Sequence, residues 1–190
     1  MDMTTAGPVT AEQLERWPDR DARLELVAGV VRHMSPAGPR HGSVNSRLMG
    51  ALAAHVYPRR LGELFTPDTG FVLRRDPDTV RCPDVAFIAA GRLPPDGLRG
   101  RGFSGLAPDL AVETLSPDDR PREMAEKVAE YLDVGVRLVW VIDPKRRTVT
   151  VHEPGVAIRT LREDGELDGG RVLPDFRCAV ASLFEGIARE

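Results

Sequence analysis

The sequence predicts a mixed α+β protein of the α/β class, and three observations carry that prediction. Short apolar or alternating runs such as Leu24-Glu25-Leu26-Val27, Val85-Ala86-Phe87-Ile88-Ala89 and Leu110-Ala111-Val112-Glu113-Thr114 have strand character. Two longer stretches repeat their apolar residues at helical spacing, Val44, Leu48, Leu52 and Val56 in one, Met124, Val128, Tyr131 and Leu132 in the other. At 190 residues with 42% hydrophobic content, the chain is long enough for one well-buried core. We therefore read 1–190 as a single domain with a frayed start over 1–9.

Thr10-Ala11-Glu12-Gln13 has capping-box spacing and opens a short helix through Trp17, which Pro18 ends. Residues 23–34 alternate as two strands joined at Ala28-Gly29. Glu25, flanked by two leucines on the first, most simply points to water; the alternative is an accessory role at an active site. After a loop over 36–39, the first long helix ends near Tyr57-Pro58, with His41 at its start one turn before Asn45. Such a histidine is usually a cap, and a chemical role is the alternative. Three strand-like runs, 61–66, 70–75 and 80–89, are separated by Pro67-Asp68 and Asp76-Pro77-Asp78, and read as a meander with Asp84 on its last strand. Residues 91–108 read as a long surface excursion, whose Arg92, Arg99 and Arg101 are either solvated or available to phosphates.

On the following strand, Glu113 shares a face with Ala111 and Leu115, while Leu110, Val112 and Thr114 take the other. Asp109 reads as a cap at the strand entrance. A helix then runs from Asp118 or Asp119 to Asp133 and ends at Gly135. Lys127 borders its buried side, and on spacing alone it snorkels to water or pairs with Glu123 or Glu130. Strands over 137–143, 147–153 and 157–161 follow, with turns at 143–146 and 163–166, and 180–188 closes as a short helix.

An acid inside an apolar strand is costly to bury unless it is paired or holds a cation, so Glu113 needs a partner. Asp84, at the start of another apolar strand, supplies a second carboxylate, and two such groups suit a hard cation such as Mg²⁺. Among the 26 Lys plus Arg, only Lys127 and Lys145 are lysine, which hints at places where a compact point charge is needed. The net charge of −3 argues against a strongly basic nucleic-acid coat. Cys82 and Cys178 lack metal-type spacing and fit a reducing compartment. No apolar run approaches the roughly 18 residues of a membrane span, and no leader pattern opens the chain, so a cytoplasmic protein is expected.

Pro83-Asp84, then Glu113-Thr114-Leu115-Ser116-Pro117, Lys127, Tyr131, Gly135-Val136 and Val141-Ile142-Asp143-Pro144 together resemble the Uma-type putative restriction endonuclease family of the PD-(D/E)xK nuclease superfamily. The resemblance extends from Leu24 through His41 to Leu173-Pro174. It implies a restriction-endonuclease-like core, a mixed central sheet flanked by helices, with a catalytic set of Asp84, Glu113, Lys127 and the accessory acid Glu25. Mg²⁺ (or Mn²⁺) would be held by Asp84, Glu113 and the carbonyl of Thr114. The superfamily's usual lysine place, two residues after the acid, is Leu115 here, so Lys127 has to supply the charge from its helix. The expected activity is metal-dependent hydrolysis of DNA phosphodiesters, and a homodimer is expected because two copies of one site most simply cut two strands. The rival reading is a catalytically silent nuclease-fold protein that binds nucleic acid or a protein partner.

Overall fold

The structure is a computed structural model that describes residues 7–18, 23–96, 98 and 102–189. The elements in order are α1 (Ala11–Glu15), β1 (Leu24–Val27), β2 (Val30–His33), α2 (Pro39–Arg59), β3 (Gly62–Phe65), β4 (Phe71–Arg74), β5 (Thr79–Arg81), β6 (Val85–Ala89), β7 (Leu110–Thr114), α3 (Pro121–Asp133), β8 (Leu138–Asp143), β9 (Thr148–His152), β10 (Arg159–Leu161), β11 (Glu166–Asp168) and β12 (Arg177–Ala179). Short 3-10 turns follow β6 and β12.

The main sheet has the order β10-β9-β8-β7-β6-β3. Its neighbours are antiparallel except β7 and β8, which run parallel because α3 carries the chain back between them. The pleat of β7 sends Leu110 and Val112 to one core and Ala111 to the other. On the first side α2 packs Val44, Leu48, Leu52 and Val56, all fully buried. Each contributes about 1.5–3 kcal/mol by leaving water. On the other side α3 packs Val128 and Tyr131 against Ala111 and Val139. The sheet flanked by helices is therefore as expected.

A second, antiparallel sheet, β2-β1-β5-β4, carries its own small core of Leu26, Val80 and the α1 residues Ala11 and Leu14. The Thr10 capping box forms as expected, its hydroxyl accepting from Gln13 N–H. The β1–β2 turn places Ala28 and Gly29 at φ 48° and 76°, and a Cβ on Gly29 would lie 2.3 Å from Pro8 Cβ. Glycine is required there. Val9 is buried and its N–H donates to Gly29 O, so the packed structure already includes the end of the stretch expected to fray. Met1 to Ala6 lie outside the described residues.

Four expectations need correction. The 61–89 region is not a meander: β3 pairs with β6 in the main sheet, whereas β4 and β5 belong to the second one. The run 80–89 breaks at Cys82-Pro83-Asp84, where the chain passes from one sheet to the other. α3 begins at Pro121 rather than Asp118 or Asp119, because Pro121 occupies the first turn and Asp119 Oδ2 instead accepts Ser116 N–H in a preceding turn. The closing helix is only the 3-10 turn Val180–Phe184, and the β11–β12 hairpin before it was not anticipated. No helix of the described residues is long and apolar enough to cross a membrane.

Candidate active site

Val85 pairs with Val112 in the β6–β7 register, so the next pair outward is Asp84 with Glu113, followed by Pro83 with Thr114. Pro83 has no N–H for the Thr114 carbonyl, and Thr114 N–H donates to Asp84 Oδ2 at 2.8 Å instead of to a ladder partner. Asp84 Oδ2 also meets His41 Nε2 at 3.0 Å, and His41 Nδ1 lies 3.2 Å from Asn45 Nδ2. An amide nitrogen only donates, so Nδ1 accepts and Nε2 carries the proton given to Asp84. The Thr114 hydroxyl donates to Asn45 Oδ1 at 2.6 Å, which fixes the amide's orientation. The first turns of α2 thus hold Asp84 in place.

Glu113 is held from α3. Tyr131 OH donates to Glu113 Oε1 at 2.7 Å, and Lys127 Nζ lies 2.9 Å from the same oxygen. Lys127 Nζ is also 2.9 Å from Glu25 Oε1. Glu25 accepts in turn from Arg81 Nη1 at 2.8 Å and Cys82 N–H at 3.0 Å, and Arg81 pairs with Glu130 at 2.7 Å. Glu25 and Lys127 are only 1% and 6% exposed. The simplest sequence readings, Glu25 in water and Lys127 paired with Glu123 or Glu130, are therefore wrong. Lys127 and Tyr131, one turn apart, close on the same carboxylate.

Four acids, Asp84, Glu113, Glu25 and Glu130, face two cations, Lys127 and Arg81, in this network. The electrostatics follow. Burial pushes the Glu113 carboxyl up, Lys127 opposes, and Asp84 and Glu25 add to the rise, leaving it at about 7. Burial also pushes on Glu25, but Lys127 and Arg81 outweigh it and hold this carboxyl below the usual range. For Lys127, burial disfavours the ammonium, yet Glu113 and Glu25 hold it above the usual lysine value. It is a fixed positive charge. Burial and Glu25 raise the neighbouring Cys82 thiol to about 12, which leaves it inert.

These groups open into a cleft of about 410 Å³ that Arg23, Arg32 and Arg120 also line. Residues 11–181 match the model of the Uma2 family, described as putative restriction endonucleases. The chain belongs to this family. The crystal structure of a putative nuclease belonging to DUF820 from Anabaena variabilis superposes with a TM-score of 0.82 at 21% identity, over 93% of this chain and 98% of that one. The Uma2 fold is shared. No curated protein matches the chain.

Among the described residues, no three His, Cys, Asp or Glu side chains are grouped to hold a metal by themselves. Asp84 and Glu113 offer two carboxylates, and their Oδ1 and Oε2 atoms are engaged by no described hydrogen bond or ion pair. The surplus of two negative charges in the network matches one divalent cation, so the donor chemistry fits. Sequence reasoning missed Arg81 and the hydroxyl role of Tyr131, which it read only as core. The His41–Asn45 spacing was visible, but its target was not. Arg92 pairs with Asp109 Oδ1 at 2.8 Å, and Asp109 also accepts from Arg137 and Ala89 N–H, so both anchor the entrance of β7. Arg99 and Arg101 lie outside the described residues.

Proposed function

We propose that this Uma2-family chain is a metal-dependent endonuclease of the PD-(D/E)xK type that hydrolyses DNA phosphodiester bonds. The observation that supports it most is the convergence of Asp84, Glu113 and a buried, permanently charged Lys127 at one cleft. Mg²⁺ (or Mn²⁺), held by Asp84, Glu113 and the Thr114 carbonyl, would supply Lewis acidity to the phosphodiester and to the attacking water.

The chain's own residues do the rest. His41 and Thr114 N–H hold Asp84 by Oδ2, Tyr131 holds Glu113 by Oε1, and both carboxylates line the cleft. Lys127, whose ammonium form Glu113 and Glu25 favour, would stabilise the growing negative charge on phosphorus-bound oxygens. Glu25 is a positioning residue, since its Oε1 fixes Lys127 and its Oε2 is occupied by Arg81. A homodimer would place a second such site on the opposite strand.

One observation favours the rival, a silent binding module: Lys127 is already paired with two carboxylates and has a structural use without any substrate. Incubating the protein with supercoiled plasmid in Mg²⁺, Mn²⁺ or EDTA separates the two. Metal-dependent nicking that is lost in Asp84→Ala and Glu113→Ala supports the nuclease, whereas no nicking under any metal supports the module.

A further inference from the structure

A second cleft, of about 450 Å³, is lined by Arg40, Lys145, Arg146, Arg147, Arg162 and Arg189. Among the described residues, two acids, Glu163 and Asp164, share its wall. In a chain of net charge −3 this is a local concentration of positive charge. It contains Lys145, the one lysine besides Lys127, which the site above leaves without a use.

The cations are held in place. Asp143 Oδ1 accepts the N–H groups of Lys145 and Arg146 at 2.9 and 2.8 Å, which locks the turn after β8. Glu163 takes Arg147 on one oxygen at 2.7 Å and Arg189 on the other at 2.8 Å, so one carboxylate braces two guanidinium groups. Lys145 and Arg162 are exposed and have no ion-pair partner among the described residues.

Its location matters as much as its charge. Thr114 pairs with Ile142 in the parallel β7–β8 register, so the turn carrying Lys145 leaves the same edge of the sheet as the Glu113 end of β7, one strand away. Neighbouring strands lie about 4.8 Å apart. From above, Arg40 in the second cleft directly precedes His41 in the first, on the opening turn of α2. The two clefts therefore take lining residues from the same opening turn of α2 and lie at the same end of the β7–β8 pair.

We propose that this basic cleft binds the backbone phosphates of the DNA beyond the scissile bond, with Lys145 and Arg162 making the contacts and the Glu163-braced arginines setting the field behind them. The inference rests on the nuclease reading of the adjoining cleft. Lysine and arginine reading phosphate supply affinity and register without sequence preference, so the contacts should be largely electrostatic.

The test is fluorescence anisotropy of a short labelled DNA duplex with the full chain in EDTA, where metal-dependent cleavage is off, titrated from about 50 to about 200 mM salt. Wild type is compared with Lys145→Ala/Arg162→Ala and with Arg59→Ala/Arg60→Ala, which removes two exposed charges at the far end of the 21-residue α2. Loss of two phosphate contacts should flatten the plot of log K against log salt by about 1.8 and weaken binding roughly tenfold or more at low salt in the first variant only. Equal slopes for wild type and Lys145→Ala/Arg162→Ala, an equal loss in the control, or no binding by wild type would each overturn the proposal. Circular dichroism melting identifies a variant that has unfolded, in which case Lys145→Gln and Arg162→Gln singly replace it. Plasmid nicking is read separately. A flattened slope with no nicking leaves the basic cleft standing and removes the nuclease; nicking with an unchanged slope does the reverse.

Discussion

Replacing Lys127 with methionine keeps an apolar stem as far as Cε and removes the ammonium, with its charge and its N–H donors. In the fold, Lys127 Nζ stands 2.9 Å from both Glu25 and Glu113, with all three side chains buried. Removing one partner of a buried pair costs about 3–5 kcal/mol. Glu25 keeps Arg81 and Cys82 N–H, and Glu113 keeps Tyr131, which brings the expectation to about 3 kcal/mol. The loss should depend on pH. Glu113 sits near 7 in the fold against an ordinary 4.5, so the fold holds a proton that the unfolded chain releases, and this acid makes stability fall as pH rises from 4.5 to about 7. Without Lys127, the carboxyl moves further up, so Lys127→Met should be least harmful below pH 6 and most harmful above pH 8. Glu25, held below its usual range, acts oppositely and loses its contribution only as pH falls through that lowered value. Urea unfolding at the two pH values measures this directly. At a temperature where the variant is folded, plasmid cleavage should drop roughly a hundredfold or more, the scale of one preorganised transition-state group. Lys127→Arg should restore little, because a planar guanidinium does not fit between two carboxylates spaced for an ammonium. Unfolding at pH 8 within about 0.5 kcal/mol of wild type would refute the ion network. Native-rate cleavage would refute the catalytic role.

Calorimetric titration with Mn²⁺ should show binding that disappears in Asp84→Ala/Glu113→Ala, and equal heats in both proteins would reject the metal site. Because Glu113 must shed its proton to bind the ion, affinity should rise by up to about tenfold per pH unit below 7, with close to one proton released per ion there, and level off above 7, where almost none is released. His41→Ala, which leaves Asp84 Oδ2 with only its Thr114 N–H bond and Asn45 without its ring partner, should weaken Mn²⁺ about 10–100-fold with little change in fold, as loss of an outer-shell partner does. Light scattering tests the homodimer: β10 is one of the two outer strands of the main sheet, and Ile158 beside it is 66% exposed. Ile158→Asp should then shift a two-chain mass to that of one chain, and a single-chain mass for wild type across micromolar concentrations would exclude the dimer.

Strand β7 was legible because both of its faces are covered and every residue obeys one pleat, Leu110 and Val112 toward α2, Ala111 toward α3. Helix α2 was legible from its four-residue spacing alone. Glu25 was legible only through the family resemblance and not from alternation, and the reason is layering. Period-two reading assumes one wet face, whereas β1 has α1 and its core on the Leu26 side and the Lys127–Arg81 network on the Glu25 side. Spacing alone misplaced Lys127 for a related cause, and only the family resemblance put it with Glu113: a helical lysine bordering an apolar stripe finds its partner on the same helix unless another element brings carboxylates over it, and those carboxylates come from 102 and 14 residues upstream. The split of residues 80–89 between two sheets was equally hidden, since an apolar run does not record which sheet each half joins.

That split explains why the site stands where it does. Arg81 ends a strand of the second sheet beside Glu25, and Val85 begins a strand of the main sheet beside Val112, so Cys82-Pro83-Asp84 bridges the two. Proline at 83 withholds an N–H from the ladder, ends the pairing, and leaves Thr114 N–H to hold the Asp84 carboxylate. Glu113 then meets Asp84 from the main sheet and, through Lys127, Glu25 from the second. Leu115, two residues beyond Glu113, lies on the same face and packs against the apolar cluster that includes Val128 and Tyr131. A lysine there would put a charge into that cluster. Lys127 instead rises from α3 to the same carboxylate and delivers the positive charge without opening the core.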